Sequence, residues 1–505
     1  MTADQQVKVV VIGAGFSGLC AAIQLKARGI EDFVVIEREP DVGGTWQINN
    51  YPGAQCDVPS IVYSFSFAPN PAWTRLFPLQ QELQDYLRDC VDRFGVRRFI
   101  RFGREVLDCR WDEQAQRWSV RTDSGVITAQ FVIGAYGPLS APSVPDFPGL
   151  GDFTGAVFHT SRWDHTRDLT GRRVAVIGTG ASAVQVIPHV QRQAGSLTVF
   201  QRTPSWVLPH PDRSVGPLLR GAWEQVPGAL QASRQAMKAM FEALVPGFAR
   251  APRLLFGFRR AGLRHLKRAV PDPQLRAKLT PAYTFGCKRP TFSNTYYPAL
   301  SAPNVDVVTE PIERVTADGV ITAGGTRHEV DTIIMGTGFK VADNPFTARI
   351  IGRDGRSLAD RWGDSDMQAY LGISVHGLPN LFLTLGPNSA PYNSLVITIE
   401  AQIRYIVDLM VQVIESGLGS VEVRSEVQDA FNDALDRRLA ASVWATGGCD
   451  SYYIGNTGRI VAWWPGSAAG YYRRTRHADL ADYRVRWPDP QTAPETDSVG
   501  EPAAV

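Results

Sequence analysis

Two short glycine turns, and the charged residue that follows each, carry the first chemical information in this sequence. Gly13-Ala-Gly15-Phe-Ser-Gly18 closes one apolar run, and Glu37 ends the next, 19 residues beyond Gly18. Gly178-Thr-Gly180-Ala-Ser-Ala183 closes another, and Arg202 stands where the first unit has its acid. Such a turn at a helix start presents backbone N–H groups and the positive end of the helix dipole to phosphates. A carboxylate after the second strand accepts hydrogen bonds from a ribose diol. An arginine there pairs with a 2′-phosphate, which an acid would repel. The two units therefore read as an electron relay. The first holds a resident FAD, and the second takes NADPH as a diffusing hydride donor.

These residues need particular elements to position them. VKVVVIGAGFSGLCAAIQLKARG reads as a buried strand, a turn and a helix, and FVVIERE as a second strand. Gly13 permits the tight turn, Gly15 lets the backbone approach a pyrophosphate, and Gly18 lets the helix pack closely. RRVAVIGTGASAVQVIPHV followed by LTVFQRTP repeats the pattern, so the chain has two dinucleotide folds. Between them, RWDEQAQRWSVRTDSGVITAQFVIGAYG reads as a β-meander returning to the first sheet. PLSAPSVPDFPGLGDF reads as a Pro/Gly-rich linker at a domain crossing. EVDTIIMGTGFK closes the second fold and leads back to the first. HGLPNLFLTLGPNSAPYNS is a strand and loop beside the first ligand.

From about Ser205 to Thr284 the pattern is helical and rich in Arg. A basic face of this kind can bind an anionic membrane. A solvated insertion is the preferred reading, because the apolar helix faces need a core. The expected fold is α/β, with two Rossmann-like dinucleotide-binding domains and a helical insertion in the second. Residues 1–140 and 339–505 form the FAD-binding domain, and 141–165 the linker. Residues 166–204 and 285–338 form the NADPH-binding domain, and 205–284 the insertion. The tail after about residue 488 is Pro, Thr, Glu and Ala, a composition that predicts disorder.

With 505 residues, 44% of them hydrophobic, 20% charged and a net charge of +2, the chain gives no electrostatic footprint for nucleic acid. The six cysteines, Cys20, Cys56, Cys90, Cys109, Cys287 and Cys449, include no C-x-x-C pair. This argues against a dithiol redox centre or a zinc knuckle, and no metal is expected. Without a secretory leader they read as reduced thiols in a cytoplasm. No apolar run is long enough to span a membrane.

Two further stretches are too specific for packing alone. FTGAVFHTSRWD, from Phe153 to Asp164, places Phe, Gly, His and Trp at intervals of two, four and four, with neither helix nor strand period. GGTWQINNYPGAQCD, from Gly43 to Asp57, follows the first βαβ unit closely. It combines special backbone with flat side chains beside the expected FAD site.

Together these stretches resemble the type I Baeyer–Villiger monooxygenases. GGTWQINNYPGAQCD matches the family motif GG-x-W-x4-[FY]-P-G-x3-D. Phe153, Gly155, His159, Trp163 and Asp164 match F-x-G-x3-H-x3-W-[PD] at every fixed position. The resemblance implies an FAD- and NADPH-dependent enzyme that uses O2 to insert one oxygen beside a ketone carbonyl, giving an ester or lactone. It also implies roles for particular residues. His159 and Trp163, with Phe153 and Gly155, couple the two domains. Lys288 helps hold the 2′-phosphate, Arg289 lies over the flavin, and Asp57 positions Arg289. Gly44, Thr45, Trp46, Phe16, Tyr63 and Val106 join Gly13, Gly15, Gly18 and Glu37 around FAD. Gly178, Thr179, Gly180, Ala181, Ser182, Gln185, Arg202 and Thr203 face NADPH. Tyr452 stands where many members have Trp, at a position on the nicotinamide ribose. The alternatives are an N- or S-oxygenating flavin monooxygenase, an uncoupled NADPH oxidase and a nucleotide-sensing module without turnover.

Overall fold

The computed structural model describes residues 5–363 and 366–488; the tail expectation falls outside them. Two sheets, one mixed and one parallel, organise the chain, each built on one of the glycine turns. The first contains β1 (Gln5–Ile12), β2 (Phe33–Ile36), β3 (Ile100–Arg101), β4 (Val106–Asp112), β5 (Arg117–Thr122) and β6 (Gly125–Gly134). Val9, Val10 and Val11 of β1 are wholly buried, because helices and strands cover both faces of the sheet. The meander β4-β5-β6 is antiparallel, and β6 then runs parallel to β1, as its sequence predicted.

The second sheet is parallel throughout. It takes β7 (Ala156–His159), β8 (Arg173–Ile177) and β9 (Ser196–Phe200). A two-stranded ribbon of β10 (Val207–Leu208) and β11 (Thr291–Phe292) precedes its last contributors. These are β12 (Val305–Val308) and, after a three-stranded meander of β13 (Ile312–Thr316), β14 (Gly319–Thr322) and β15 (Arg327–Glu329), β16 (Thr332–Met335). The order is β12-β9-β8-β16-β7, so β7 is an edge strand with His159 at its end. The chain then returns to the first sheet. β17 (Ile350–Ile351) extends its β4 edge. β18 (Leu381–Leu383) pairs with Val132–Gly134 of β6, beyond the half that β5 occupies.

Helix α1 (Phe16–Ala27) follows β1 and is buried over most of its girth, consistent with a sequence that is apolar apart from Ser17, Gln24 and Lys26. Short α2 (Thr45–Ile48) and α3 (Gln80–Arg93) follow. In the second unit α4 (Ala181–Gln193) links β8 to β9. The expected insertion folds as α5 (Pro217–Gln225), α6 (Ala229–Ala249), α7 (Phe256–Ala269) and α8 (Pro273–Lys278). It docks through a buried cation. Arg234 of α6 donates to the Ile61 and Ser64 carbonyls at 2.6 and 2.9 Å. α7 turns Gly262 and Leu266 inward and leaves its arginines exposed. No helix among the described residues is long and apolar enough to cross a membrane.

The cysteine expectation is corrected. Cys20, Cys56, Cys90 and Cys109 are free and buried, but Cys287 and Cys449 form a disulfide. No local spacing marks this pair. The two meet only because the 284–289 turn and the 447–453 loop converge, with the Thr284 N–H donating to the Gly447 carbonyl at 2.9 Å.

Candidate functional site

The first glycine turn folds as its residue types require. Gly13 has φ +103°, and a Cβ there would lie 2.7 Å from the Ala135 carbonyl oxygen. A Cβ on Gly18 would lie 1.8 Å from the Gly13 oxygen, so strand and helix meet at backbone distance. The Phe16, Ser17 and Gly18 N–H groups precede the first intrahelical bond, Leu19 N–H to the Gly15 carbonyl at 3.0 Å, and no side chain caps them. They form an anion cradle. Glu37 is 5% exposed. Its Oε2 accepts from the Ala14 N–H at 2.6 Å and its Oε1 from the Glu39 N–H at 2.9 Å. Burial raises its pKa against the pull of those donors. Each oxygen keeps a lone pair for a ribose hydroxyl.

A cleft runs from this turn across the carboxyl ends of the first sheet. Gly13, Gly15, Phe16, Glu37, Gly44, Thr45, Trp46, Tyr63 and Val106 all line it. Trp46 Nε1 donates to the Tyr63 hydroxyl at 3.3 Å, and Tyr63 sets its ring edge on Phe16 at 5.2 Å. The sequence reading missed the 135–141 wall, Phe346 and Ile399, while Leu385 comes from the 376–394 strand and loop expected beside this ligand. The wall carried a usable signal: AYGPLSA follows β6, and ligands in open parallel sheets sit beyond strand carboxyl ends.

In the second unit Gly178 has φ +118°, and Gly180 starts α4 without a side-chain cap. Ala183 replaces the third glycine. The close approach is made instead by Gly336, where a Cβ would lie 3.1 Å from Ala183 Cβ. Ala181 and Ser182 open the helix, and the Thr179 hydroxyl donates to the Thr203 carbonyl at 2.6 Å. Arg202 is strongly exposed, 84% of its side chain, and meets Asp450 at 3.4 Å. Lys288 lies close enough to feel both: burial lowers its pKa, Asp450 opposes this and Arg202 adds to it. The Gln185 amide is engaged otherwise. Its oxygen accepts from the Tyr51 hydroxyl at 2.8 Å, and its nitrogen donates to the Gln55 carbonyl at 2.8 Å, clamping α4 to the 51–55 turn.

Arg289 and Asp57 form a bidentate pair across 232 positions, Nε to Oδ2 at 2.6 Å and Nη2 to Oδ1 at 2.9 Å. Burial alone would lower the Arg289 pKa, but the carboxylate holds it above the ordinary value, so the guanidinium stays charged. The pair lies beside the cleft, since the Tyr63 hydroxyl feels both charges. Tyr392 and Tyr453 also face Arg289. Tyr452 is half exposed and donates to the Tyr453 hydroxyl at 3.3 Å.

His159 is buried on β7. Its Nδ1 accepts from the Ser161 N–H at 3.1 Å. Its Nε2 faces the Gly338 backbone and finds no hydrogen bond of ordinary geometry among the described residues. Burial lowers its pKa, which keeps the ring neutral. The ring edge packs on Phe339 at 5.6 Å. There the outgoing and returning chains lie side by side: the Ser143 N–H donates to the Gly338 carbonyl at 2.8 Å and the Lys340 N–H to the Ala141 carbonyl at 2.9 Å. Trp163 sets its ring on Phe158 at 5.1 Å, and Phe153 is buried under the second sheet. A Cβ on Gly155 would lie 2.3 Å from the Asp331 oxygen. Arg162, inside the same motif, reaches Glu39 of the first unit at 2.8 Å.

A family model described as pyridine nucleotide-disulphide oxidoreductase matches residues 10–246. A Baeyer-Villiger monooxygenase of Streptomyces coelicolor is 45% identical over 488 residues, covering 96% of this chain and 94% of that protein. One of Pseudomonas aeruginosa is 43% identical, covering 96% and 92%. Cyclohexanone monooxygenase of Rhodococcus sp. Phi1 bound to NADP+ superposes with a TM-score of 0.84 at 29% identity, over 96% of this chain and all of that one. OTEMO in complex with FAD and NADP superposes with a TM-score of 0.84 at 27% identity, over 95% and 99%.

Proposed function

The chain belongs to the Baeyer–Villiger monooxygenase family, and from that premise we propose how its residues divide the reaction. The enzyme is an FAD- and NADPH-dependent monooxygenase that inserts one atom of O2 beside a ketone carbonyl, giving an ester or lactone. When bound, NADPH supplies two electrons and reduced FAD activates O2.

The N–H cradle at Phe16–Gly18 fits a pyrophosphate, and Glu37 receives the adenosine ribose. Gly44, Thr45, Trp46, Tyr63 and Val106 wall the FAD cleft. Gly180, Ala181 and Ser182 open onto the NADPH phosphates, and Arg202, Thr203 and Lys288 take the 2′-phosphate. Tyr452 sits at the coenzyme's edge. Arg289 is the catalytic cation: beside the cleft, its charge would stabilise the negative charge that gathers on oxygen during the transfer. Asp57 aims the guanidinium through two hydrogen bonds, a geometry a lysine does not reproduce. His159, neutral and buried at the paired crossing, transmits position rather than protons, with Phe153, Gly155 and Trp163 seating its segment. We keep the FAD-binding, linker, NADPH-binding and insertion boundaries as the sequence sets them, although β7, within the linker, pairs with β16 of the second sheet. We place the enzyme in the cytoplasm, with a small ketone and O2 as its partners.

The Arg289–Asp57 pair carries this reading, because a fixed cation suits an anionic oxygen-transfer step. N- or S-oxygenation needs a protonated oxidant instead. The test is purified yellow protein with NADPH and a ketone panel, reading ester by mass spectrometry and hydrogen peroxide alongside. Ester approaching one per NADPH is expected. Peroxide alone from every ketone would leave an NADPH oxidase.

A further inference from the structure

We propose that Cys287 and Cys449 are a reversible thiol modification site, which holds the Tyr452–Tyr453 loop against Arg289 when oxidised and releases it when reduced. The inference rests on the roles given above to Lys288 and Arg289. Cys287 immediately precedes those two residues, and Cys449 precedes Asp450, Tyr452 and Tyr453 by one to four positions. The disulfide therefore joins the segment that carries the expected 2′-phosphate and catalytic cations to the loop facing them. The Thr284–Gly447 backbone hydrogen bond also ties the two segments, and the loop has an exposed ion pair from Asp450 to Arg202 after β9. Exposed pairs of this kind add little in water. Gly447 also packs directly on the Cys287 side chain.

The chemistry has a direction. Cys287 is wholly buried, whereas Cys449 is partly exposed between exposed Gly448 and Asp450. A dithiol reductant therefore reaches the Cys449 sulfur. Its thiolate attacks there, a mixed disulfide forms, and the S–S bond breaks with Cys287 leaving as a thiolate beside Lys288 and Arg289 in sequence. The reductant's second thiol then displaces Cys449. Two electrons and two protons reach the cysteines, and the reductant leaves as its own disulfide.

Hydrogen peroxide reverses the change. A thiolate attacks it to give a sulfenic acid, the partner thiol closes the disulfide, and two waters form overall. Peroxide is what uncoupled oxidation of NADPH by O2 releases, so the oxidant arises at the site itself. The other four cysteines are free, buried thiols outside this bond. In a reducing compartment a disulfide is more often a sensor than a staple.

The experiment uses the full-length holoenzyme, oxidised with hydrogen peroxide or reduced with dithiothreitol and then desalted. Maleimide labelling of the denatured protein, read by intact mass, is expected to find two more thiols after reduction. NADP+ affinity, measured by equilibrium binding, is expected to weaken about fivefold or more on reduction, with peroxide per NADPH rising in parallel. Cys449→Ser is expected to behave as reduced enzyme under both treatments, and reoxidised wild type to recover. Equal thiol counts in the two states would overturn the proposal. So would equal NADP+ affinity and coupling, or a Cys449→Ser protein that still responds to dithiothreitol. Absence of ester in both states would overturn the oxygenation reading alone, because thiol count and NADP+ affinity judge the latch independently.

Discussion

The two glycine turns share a design and differ in what surrounds them. The first is closed: Gly13 and Gly18 meet at backbone distance, Glu37 is buried with two backbone donors, and a cleft walled by Trp46 and Tyr63 continues from it. The second is open. Ala183 relaxes the helix contact, and the ionic groups beyond it, Arg202 and Asp450, stand 84% and 88% exposed. A closed site suits a ligand that stays, because burial multiplies contacts and slows departure. An open cationic one suits a ligand that must exchange at each turnover. Function is written in this difference of enclosure more than in the motif that the units share.

The sharpest way to break the contrast is to treat the same motif position in both units. Gly18→Ala forces a Cβ onto the Gly13 oxygen, so the variant is expected to purify without flavin, read as flavin absorbance per protein. Ala183→Gly should change stability by no more than about 1 kcal/mol. Full flavin content in Gly18→Ala would show that the first turn is no more constrained than the second.

Arg289→Ala tests the group that lies beside the closed cleft and next to Lys288 of the open site. FAD should remain bound, while ester formation falls by about 10²–10³-fold, the range for losing one electrostatic partner of a developing oxyanion. The NADPH still consumed should appear as hydrogen peroxide. Near-normal ester yield would remove Arg289 from the reaction.

Arg202→Ala probes the open site alone. The KM for NADPH should rise about tenfold, the lower end for a charged hydrogen bond because the side chain is so exposed. The KM for NADH and the flavin content should hold. Added salt should weaken NADPH binding in wild type more than in the variant. Equal use of NADH and NADPH by wild type would misplace the pocket.

His159→Gln should give the smallest effect and the most specific one. Its folded pKa lies below the ordinary 6.5 because burial opposes the charged ring. The unfolded chain therefore takes up the proton first as pH falls. Above 6.5 the residue adds no pH dependence, and below it stability is lost down to the folded pKa. The variant should lose less Tm than wild type between neutral and mildly acidic pH, with half-buried His189 and His210, whose pKa values burial also lowers, cancelling in the difference. Turnover with NADPH should slow without loss of an acid–base limb. A limb near 6.5 that vanishes with His159 would make it a proton-transfer group.

Much of this contrast was legible before any coordinates. Glycine spacing, the acid after β2 and the arginine after β9 are local signals, and local signals survive in a sequence. The Arg289–Asp57 pair, 232 positions apart, came only through resemblance. The Cys287–Cys449 bond is not legible in sequence: a long chain without a secretory leader reads as reduced thiols, and two loops separated by 162 residues supply one sulfur each. The engagement of Gln185 with Tyr51 and Gln55 was hidden for the same reason: side-chain partners across a domain boundary leave no period. The edge strands β17 and β18 are two and three residues long, too short for alternation to show.

The side-by-side crossing at Ala141–Ser143 and Gly338–Lys340 has a mechanical consequence. A single covalent connection behaves as a swivel and leaves three rotations free. Two connections bonded edge to edge make a flat ribbon, which flexes readily across its face but resists bending in its own plane. Such a ribbon favours one arc of bending over the others. The ring of His159 packs its edge on Phe339 of the returning segment, so a buried neutral side chain lies against that ribbon.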